Sequence, residues 1–157
     1  MSGVRARLGP GMAVFDSTPG TLDLTADTFE QAIAADGIVL VDFWAAWCGP
    51  CRSFGPVYEA ASEQHPDIGF GKVDTDAEQA LAGQLGIRSI PTLMAFRNGI
   101  LLHAQAGALP AAALEQLIAS VRSVDMDEVR RKVAAEADAR RERYGASAEQ
   151  SPTGQTA

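Results

Sequence analysis

The chain has 157 residues, 46% of them hydrophobic and 21% charged, a composition typical of one soluble globular domain with some residues left over. It excludes a wholly disordered chain, a collagen-like repeat and a disulfide-dense miniprotein. Thirteen basic against twenty acidic side chains leave a net charge of −7; an acidic chain repels phosphate backbones, so nucleic acid is not an expected partner.

The leader, residues 1–20, carries Arg5 and Arg7, which imitate the basic start of a secretory signal. Such a signal then needs about 7–15 apolar residues, and here the run Met12 to Phe15 is interrupted at once by Asp16. No segment approaches the ~18 apolar residues of a membrane span. A cytoplasmic protein with a flexible leader and no membrane partner is expected.

Thr21–Leu24 reads as a short strand, and Thr25 can cap a helix over about Ala26–Ala35 that Asp36-Gly37 stops. Ile38 to Val41 is a continuous β-branched and aliphatic run, the mark of a strand buried on both faces, and it continues through Asp42-Phe43-Trp44. A helix over Gly49–Gln64, a strand over Ile68–Val73 and a helix over Glu78–Leu85 follow. Pro91–Phe96 and Ile100–Gln105 read as strands joined by Asn98-Gly99, the two-residue hairpin signal. Pro110 opens a helix to about Arg122, with Leu114, Leu117, Ile118 and Val121 spaced to face a sheet. This order predicts an α/β fold: a mixed central sheet of about five strands with helices on both faces.

Charge density divides the chain near residue 122. Six basic and seven acidic side chains crowd into residues 123–157, which form an appendage to the domain at 21–122. Within it, 123–145 reads as a charged helix from about Met126 to Tyr144. Asp125 would be its cap, Gly145 its stop, and Asp127/Arg131, Glu128/Lys132 and Glu136/Arg140 its acid-first pairs. Residues 146–157 are expected to be a disordered tail.

The chemistry lies where the second strand meets the second helix, at Trp47-Cys48-Gly49-Pro50-Cys51. A Cys-x-x-Cys pair on a first helical turn brings the two Cα atoms within disulfide range. Cys48, at the helix N-terminus, faces unsatisfied N–H groups and the positive end of the dipole, which favour thiolate and make it the expected nucleophile. Cys51, one turn in and more buried, can attack a mixed disulfide made by Cys48. The competing reading is half a zinc site, but tetrahedral zinc wants four ligands, and only His65 and His103 are on offer, both in surface or semi-exposed positions. Asp42 is a carboxylate inside an apolar strand, covered on both faces, and burial without a close cation raises its pKa. A structural carboxylate is the alternative.

These residues resemble the thioredoxin family. The run Val41 to Cys51 matches its active-site signature almost residue for residue. Ile90-Pro91-Thr92 matches the cis-proline loop, Gly107 the glycine after the last strand, and Pro56 the proline within the active-site helix. The resemblance spans about Thr21 to Val121. It implies the thioredoxin fold and a thiol–disulfide oxidoreductase that reduces protein disulfides by dithiol–disulfide exchange. Cys48 would attack, Cys51 would resolve, and Asp42 would take the proton from Cys51, with Lys72 tuning Asp42. Trp47, Gly49, Pro50, Ile90, Pro91, Gly107 and Ala108 would line a shallow apolar groove for an extended substrate segment. Trp44 is read as packing.

The implied partners are disulfide-containing proteins and, as electron donor, a flavin-dependent thioredoxin reductase. The expected cofactor set is none beyond the Cys48–Cys51 disulfide itself: without a Gly-rich phosphate cradle neither nucleotide nor flavin is expected, and without a full set of four ligands no metal is. A monomer is expected. Two other readings stay open: a docking module whose extension does the work, and a reductase dedicated to one partner through that extension.

Overall fold

The computed structural model describes Phe15 and residues 20–150, with backbone only for 146–150. Two units divide at Arg122–Ser123. In the first, β1 (Thr21–Asp23), α1 (Ala26–Ile33), β2 (Ile38–Trp44), α2 (Gly49–Gln64), β3 (Gly69–Asp74), α3 (Gln79–Gln84), β4 (Thr92–Arg97), β5 (Ile100–Ala106) and α4 (Ala111–Ser123) follow the expected order. The strands form one five-stranded mixed sheet ordered β1-β3-β2-β4-β5. β3 runs parallel to β1 and β2, whereas β4 is antiparallel to β2 and β5.

β2 is apolar at nearly every position because both its faces are covered. Ile38 and Leu40 join Phe54, Tyr58, Phe70, Leu93, Leu114 and Ile118 in a cluster beneath α2 and α4. Val39, Val41 and Phe43 face the other way, into a cluster with Phe29, Val73, Leu81, Met94 and Phe96 beneath α1 and α3. Side chains of a strand alternate between faces, so Asp42 and Trp44 fall on the α2 side.

Element ends differ from expectation by a residue or two, for local reasons. Beyond β1, Leu24 still donates to Lys72 O at 2.7 Å. β3 starts at Gly69 because Ile68 closes a turn onto His65 O at 3.0 Å. β4 starts after Pro91, which has no N–H for the ladder. Asn98 and Gly99 have φ of 52° and 79°, the positive pair that a tight hairpin requires.

Of the leader, Phe15 alone among residues 1–19 is described, and it is not loose. Its ring lies against β3, where a Cβ at Gly69 would sit 2.8 Å from the ring. Only glycine allows that approach. Residues 1–14 and 16–19 of the leader lie outside the described residues.

Among the described residues the second unit carries one helix, α5 (Met126–Gln150). Asp125 caps it, its Oδ1 accepting from the Asp127 and Glu128 N–H groups at 3.0 and 3.2 Å. Glu128 pairs with Lys132 at 3.3 Å as expected, but Asp127 pairs with Arg130 at 2.7 Å rather than Arg131. The expected stop at Tyr144 and the disordered start of the tail at 146 are corrected: the helix continues through Gly145 to Gln150. A glycine inside a helix costs only about 1 kcal/mol and need not end it. Residues 151–157 of the expected tail lie outside the described residues.

Candidate active site

The chain leaves β2 at Trp44 and turns into α2 at Cys48, the helix N-cap, with Pro50 in the first turn and Pro56 inside the helix. Cys48 and Cys51 are joined as a disulfide with Cα atoms 5.2 Å apart. The Cys51 N–H donates to Cys48 Sγ at 3.2 Å, which is the capping contact expected for the first sulfur. Arg52 folds back so that Nη1 donates to Ala46 O at 3.2 Å, fixing the loop before the pair.

One expectation is corrected here. The two cysteines do not differ in cover, for each is only 4% exposed in this oxidised form. The loop before β4 accounts for the cover on Cys48: Ile90 packs on the pair, and its carbonyl oxygen lies 3.6 Å from Cys48 Sγ.

The Ile90–Pro91 bond is cis. Pro91 O accepts from the Gly107 N–H at 2.8 Å, and Gly107 holds φ of 104°, a conformation open to glycine and strained for other residues. These contacts bring Ile90, Pro91 and Gly107 to the cysteine turn, and Ala108 follows Gly107 in the chain. Gly49, Pro50, Gly107 and Ala108 are exposed, Ile90 is half-buried and Pro91 buried. Trp47 is 67% exposed and is steadied by a hydrogen bond from Nε1 to Asp76 Oδ1 at 3.3 Å. Asp76 was not apparent from the sequence. Its position follows from the turn after β3, where Asp74 Oδ1 accepts from the Asp76 and Ala77 N–H groups at 2.9 and 3.3 Å.

Asp42 is wholly buried, and neither carboxylate oxygen has a hydrogen-bond partner among the described residues. Burial pushes its pKa up to about 7, with the Lys72 charge pulling the other way. Lys72 is its register partner on β3, and the Lys72 ammonium lies 4.7 Å from the centre of the Trp44 ring. Trp44, half-buried, packs against the cysteine cluster. Leu40 and Trp44 flank Asp42 on its own face, one in the cluster holding Phe54 and Tyr58, the other against Cys48 and Cys51. Asp42 therefore lies between the large core cluster and the disulfide.

The histidines have other partners. His65 Nε2 lies 2.9 Å from Glu115 Oε2, and its Nδ1 lies 3.1 Å from Arg122 Nη2. His103 Nε2 lies 2.9 Å from Gln105 Oε1. Among the described residues no three of His, Cys, Asp and Glu are grouped to hold a metal ion, and no helix is long and apolar enough to cross a membrane.

The Thioredoxin family model matches residues 20–120. This chain belongs to the thioredoxin family. A Streptomyces coelicolor protein assigned as thioredoxin 2 is 55% identical over 114 residues, covering 73% of this chain and 85% of that protein. The thioredoxin of Alicyclobacillus acidocaldarius is 45% identical over 102 residues, covering 64% of this chain and 97% of its own length. Among solved structures, Malassezia sympodialis thioredoxin superposes with a TM-score of 0.60 at 34% identity, covering 73% of this chain and 96% of that one. Spinach chloroplast thioredoxin f gives a TM-score of 0.62 at 31% identity, covering 67% and 96%. With its thioredoxin fold and its Cys48–Cys51 pair, the protein is a thiol–disulfide oxidoreductase, a protein-disulfide reductase of the thioredoxin type.

Proposed function

We propose that Cys48 is the attacking sulfur, Cys51 the resolving one and Asp42 the acid/base group between their two steps. The observation that carries this reading is the pairing of Cys48, capped by the Cys51 N–H, with a buried, unpartnered Asp42 on the sheet face beneath α2.

In the reduced protein the Cys51 N–H and the positive end of α2 favour thiolate at Cys48. That thiolate forms a bond to one sulfur of a substrate disulfide, and the other substrate sulfur leaves as thiolate. Cys51 passes its proton to Asp42 and attacks Cys48 Sγ. The mixed disulfide breaks and the second substrate thiolate departs. Two electrons have moved from the dithiol to the substrate, and Asp42 returns its proton to the leaving thiolate or to water. Burial suits Asp42 to both directions, since a group titrating near 7 can accept and release a proton around neutral pH. Lys72 tunes it by opposing the burial effect.

The substrate lies as an extended segment along Trp47, Gly49, Pro50, Ile90, Pro91, Gly107 and Ala108, where backbone groups give affinity with little sequence preference. The oxidised protein is returned to the dithiol by a thioredoxin reductase. It works as a cytoplasmic monomer, passing electrons to disulfide-containing proteins with no cofactor of its own beyond the disulfide.

The test is direct. Cys48→Ser abolishes reduction of a disulfide substrate such as insulin. Cys51→Ser accumulates stable mixed disulfides, and alkylation of the reduced protein near neutral pH labels Cys48 first. Activity surviving in Cys48→Ser, or first labelling of Cys51, reverses the assignment.

A further inference from the structure

One buried polar group on the helix that carries Cys51 has no part in the reaction just described. Tyr58 is completely buried, with its ring centred 5.6 Å from Phe54 and 5.2 Å from Phe70. A phenylalanine would fill that space equally well, and the hydroxyl, taken out of water, needs a partner. It donates to Gly71 O at 2.8 Å.

That carbonyl belongs to the peptide joining Gly71 to Lys72, and Lys72 is the register partner of Asp42. Adjacent strands are only about 4.8 Å apart. Cys51, Phe54 and Tyr58 form the buried stripe of α2, so the hydroxyl meets the sheet on the face that carries Asp42. The groups facing Asp42 are then few. β2 itself offers the Trp44 indole, β3 offers Lys72, β4 offers the apolar Leu93, and α2 offers Tyr58, whose cluster α4 completes with the apolar Leu114 and Ile118. Lys72 directs its ammonium to the Trp44 ring. The Trp44 N–H on the same face is fixed in its ring and, like both carboxylate oxygens, has no hydrogen-bond partner among the described residues, so the Tyr58 phenol, which feels the Asp42 charge, is the neutral donor whose hydrogen can turn. Burial, reinforced by the Asp42 charge, holds the phenol well above its ordinary range, so it keeps its proton whatever Asp42 does.

We propose that Tyr58 is a positioning residue for Asp42: its rotatable hydroxyl stabilises the ionised carboxylate and thereby sets the pH at which Cys51 gives up its proton. With Asp42 neutral the O–H rests on Gly71 O. With Asp42 ionised the O–H dipole turns toward the carboxylate, directly or across one water. The inference rests on the reading of Asp42 as proton acceptor, and the two can be tested apart.

The oxidised protein is the proper sample, since its cysteines do not titrate. Carboxyl-labelled aspartate lets the Asp42 signal be followed by carbon NMR against pH in wild type and Tyr58→Phe. The midpoint rises by about half a unit or more in the variant, roughly a threefold change in the ionisation equilibrium. The acid limb of turnover with insulin rises with it. Tyr58→Leu, which removes the hydroxyl from a differently packed core, gives the same direction. An Asp42 midpoint that stays put or falls when the hydroxyl is removed overturns the inference. Asp42→Asn tests the underlying reading: the acid limb disappears. If the limb survives in Asp42→Asn, the proton-acceptor role fails and takes the functional half of the inference with it, even where the midpoint has moved.

Discussion

In its proposed role as proton acceptor Asp42 sets stability against function, and Asp42→Ala tests the conflict. In the unfolded chain the carboxyl titrates near 3.8, in the folded protein near 7. At about 1.4 kcal/mol per pH unit, that difference corresponds to about 4 kcal/mol. The folded pKa is the higher one, so between the two values the native state holds more protons than the unfolded state. Stability therefore falls as pH rises from about 4 to about 7, and the full penalty is present above that window. Asp42→Ala removes it. The cavity left by the side chain and the burial of a neutral carboxyl also contribute, but neither depends on pH, so both cancel when one pH is compared with another. Urea unfolding of the oxidised wild type and variant at pH 4 and pH 8 should show the variant gaining about 4 kcal/mol relative to wild type between the two conditions. Turnover at pH 8 should meanwhile fall, because the variant lacks the proposed acceptor for the Cys51 proton. A stability difference that is the same at both pH values would mean that Asp42 is not held neutral by burial, and the argument for its role would fall.

Deleting residues 123–157 should leave insulin reduction within about twofold of the full chain, because those residues form a unit of their own; insulin turnover of the truncated protein checks this. Gly107→Ala meets no steric neighbour within 4 Å, so its effect is purely one of backbone strain at φ of 104°. It should destabilise the fold by about 1–3 kcal/mol in denaturant unfolding and raise KM for protein disulfides as Pro91 loses its fixed neighbour.

The fold was legible in the sequence wherever one local pattern decided the matter. The unbroken apolar run Ile38–Val41 announced a central strand, Asn98-Gly99 announced a hairpin, and two cysteines three apart after a strand announced the site. Contacts made across the sheet were not legible. Trp47 meets Asp76 only because parallel β2 and β3 end side by side, which places the turn after β3 next to the cysteine loop. Tyr58 reads in sequence as one more core aromatic, seven positions after Cys51. Its hydroxyl acquires meaning only through the β2–β3 register that puts Lys72, the residue after Gly71, opposite Asp42. The equal cover on Cys48 and Cys51 likewise comes from Ile90, 42 residues away from Cys48. Gly145 misled for a different reason: a glycine stops a helix only where the chain turns left-handed, and here it does not.

The tip of the β4–β5 hairpin carries a consequence for anyone wishing to splice a tag or a second domain into this protein. Exposed hairpin tips are ordinarily the safest places for insertion. This one is fastened at two points, for the Gly37 N–H donates to Asn98 Oδ1 at 2.8 Å and the Asn98 N–H to Gly37 O at 2.9 Å. The clasp ties the hairpin to the residue just before β2. A graft between Asn98 and Gly99 would therefore loosen the entry to the central strand, at the end of β2 far from the cysteines, and such cargo belongs beyond Arg122 instead.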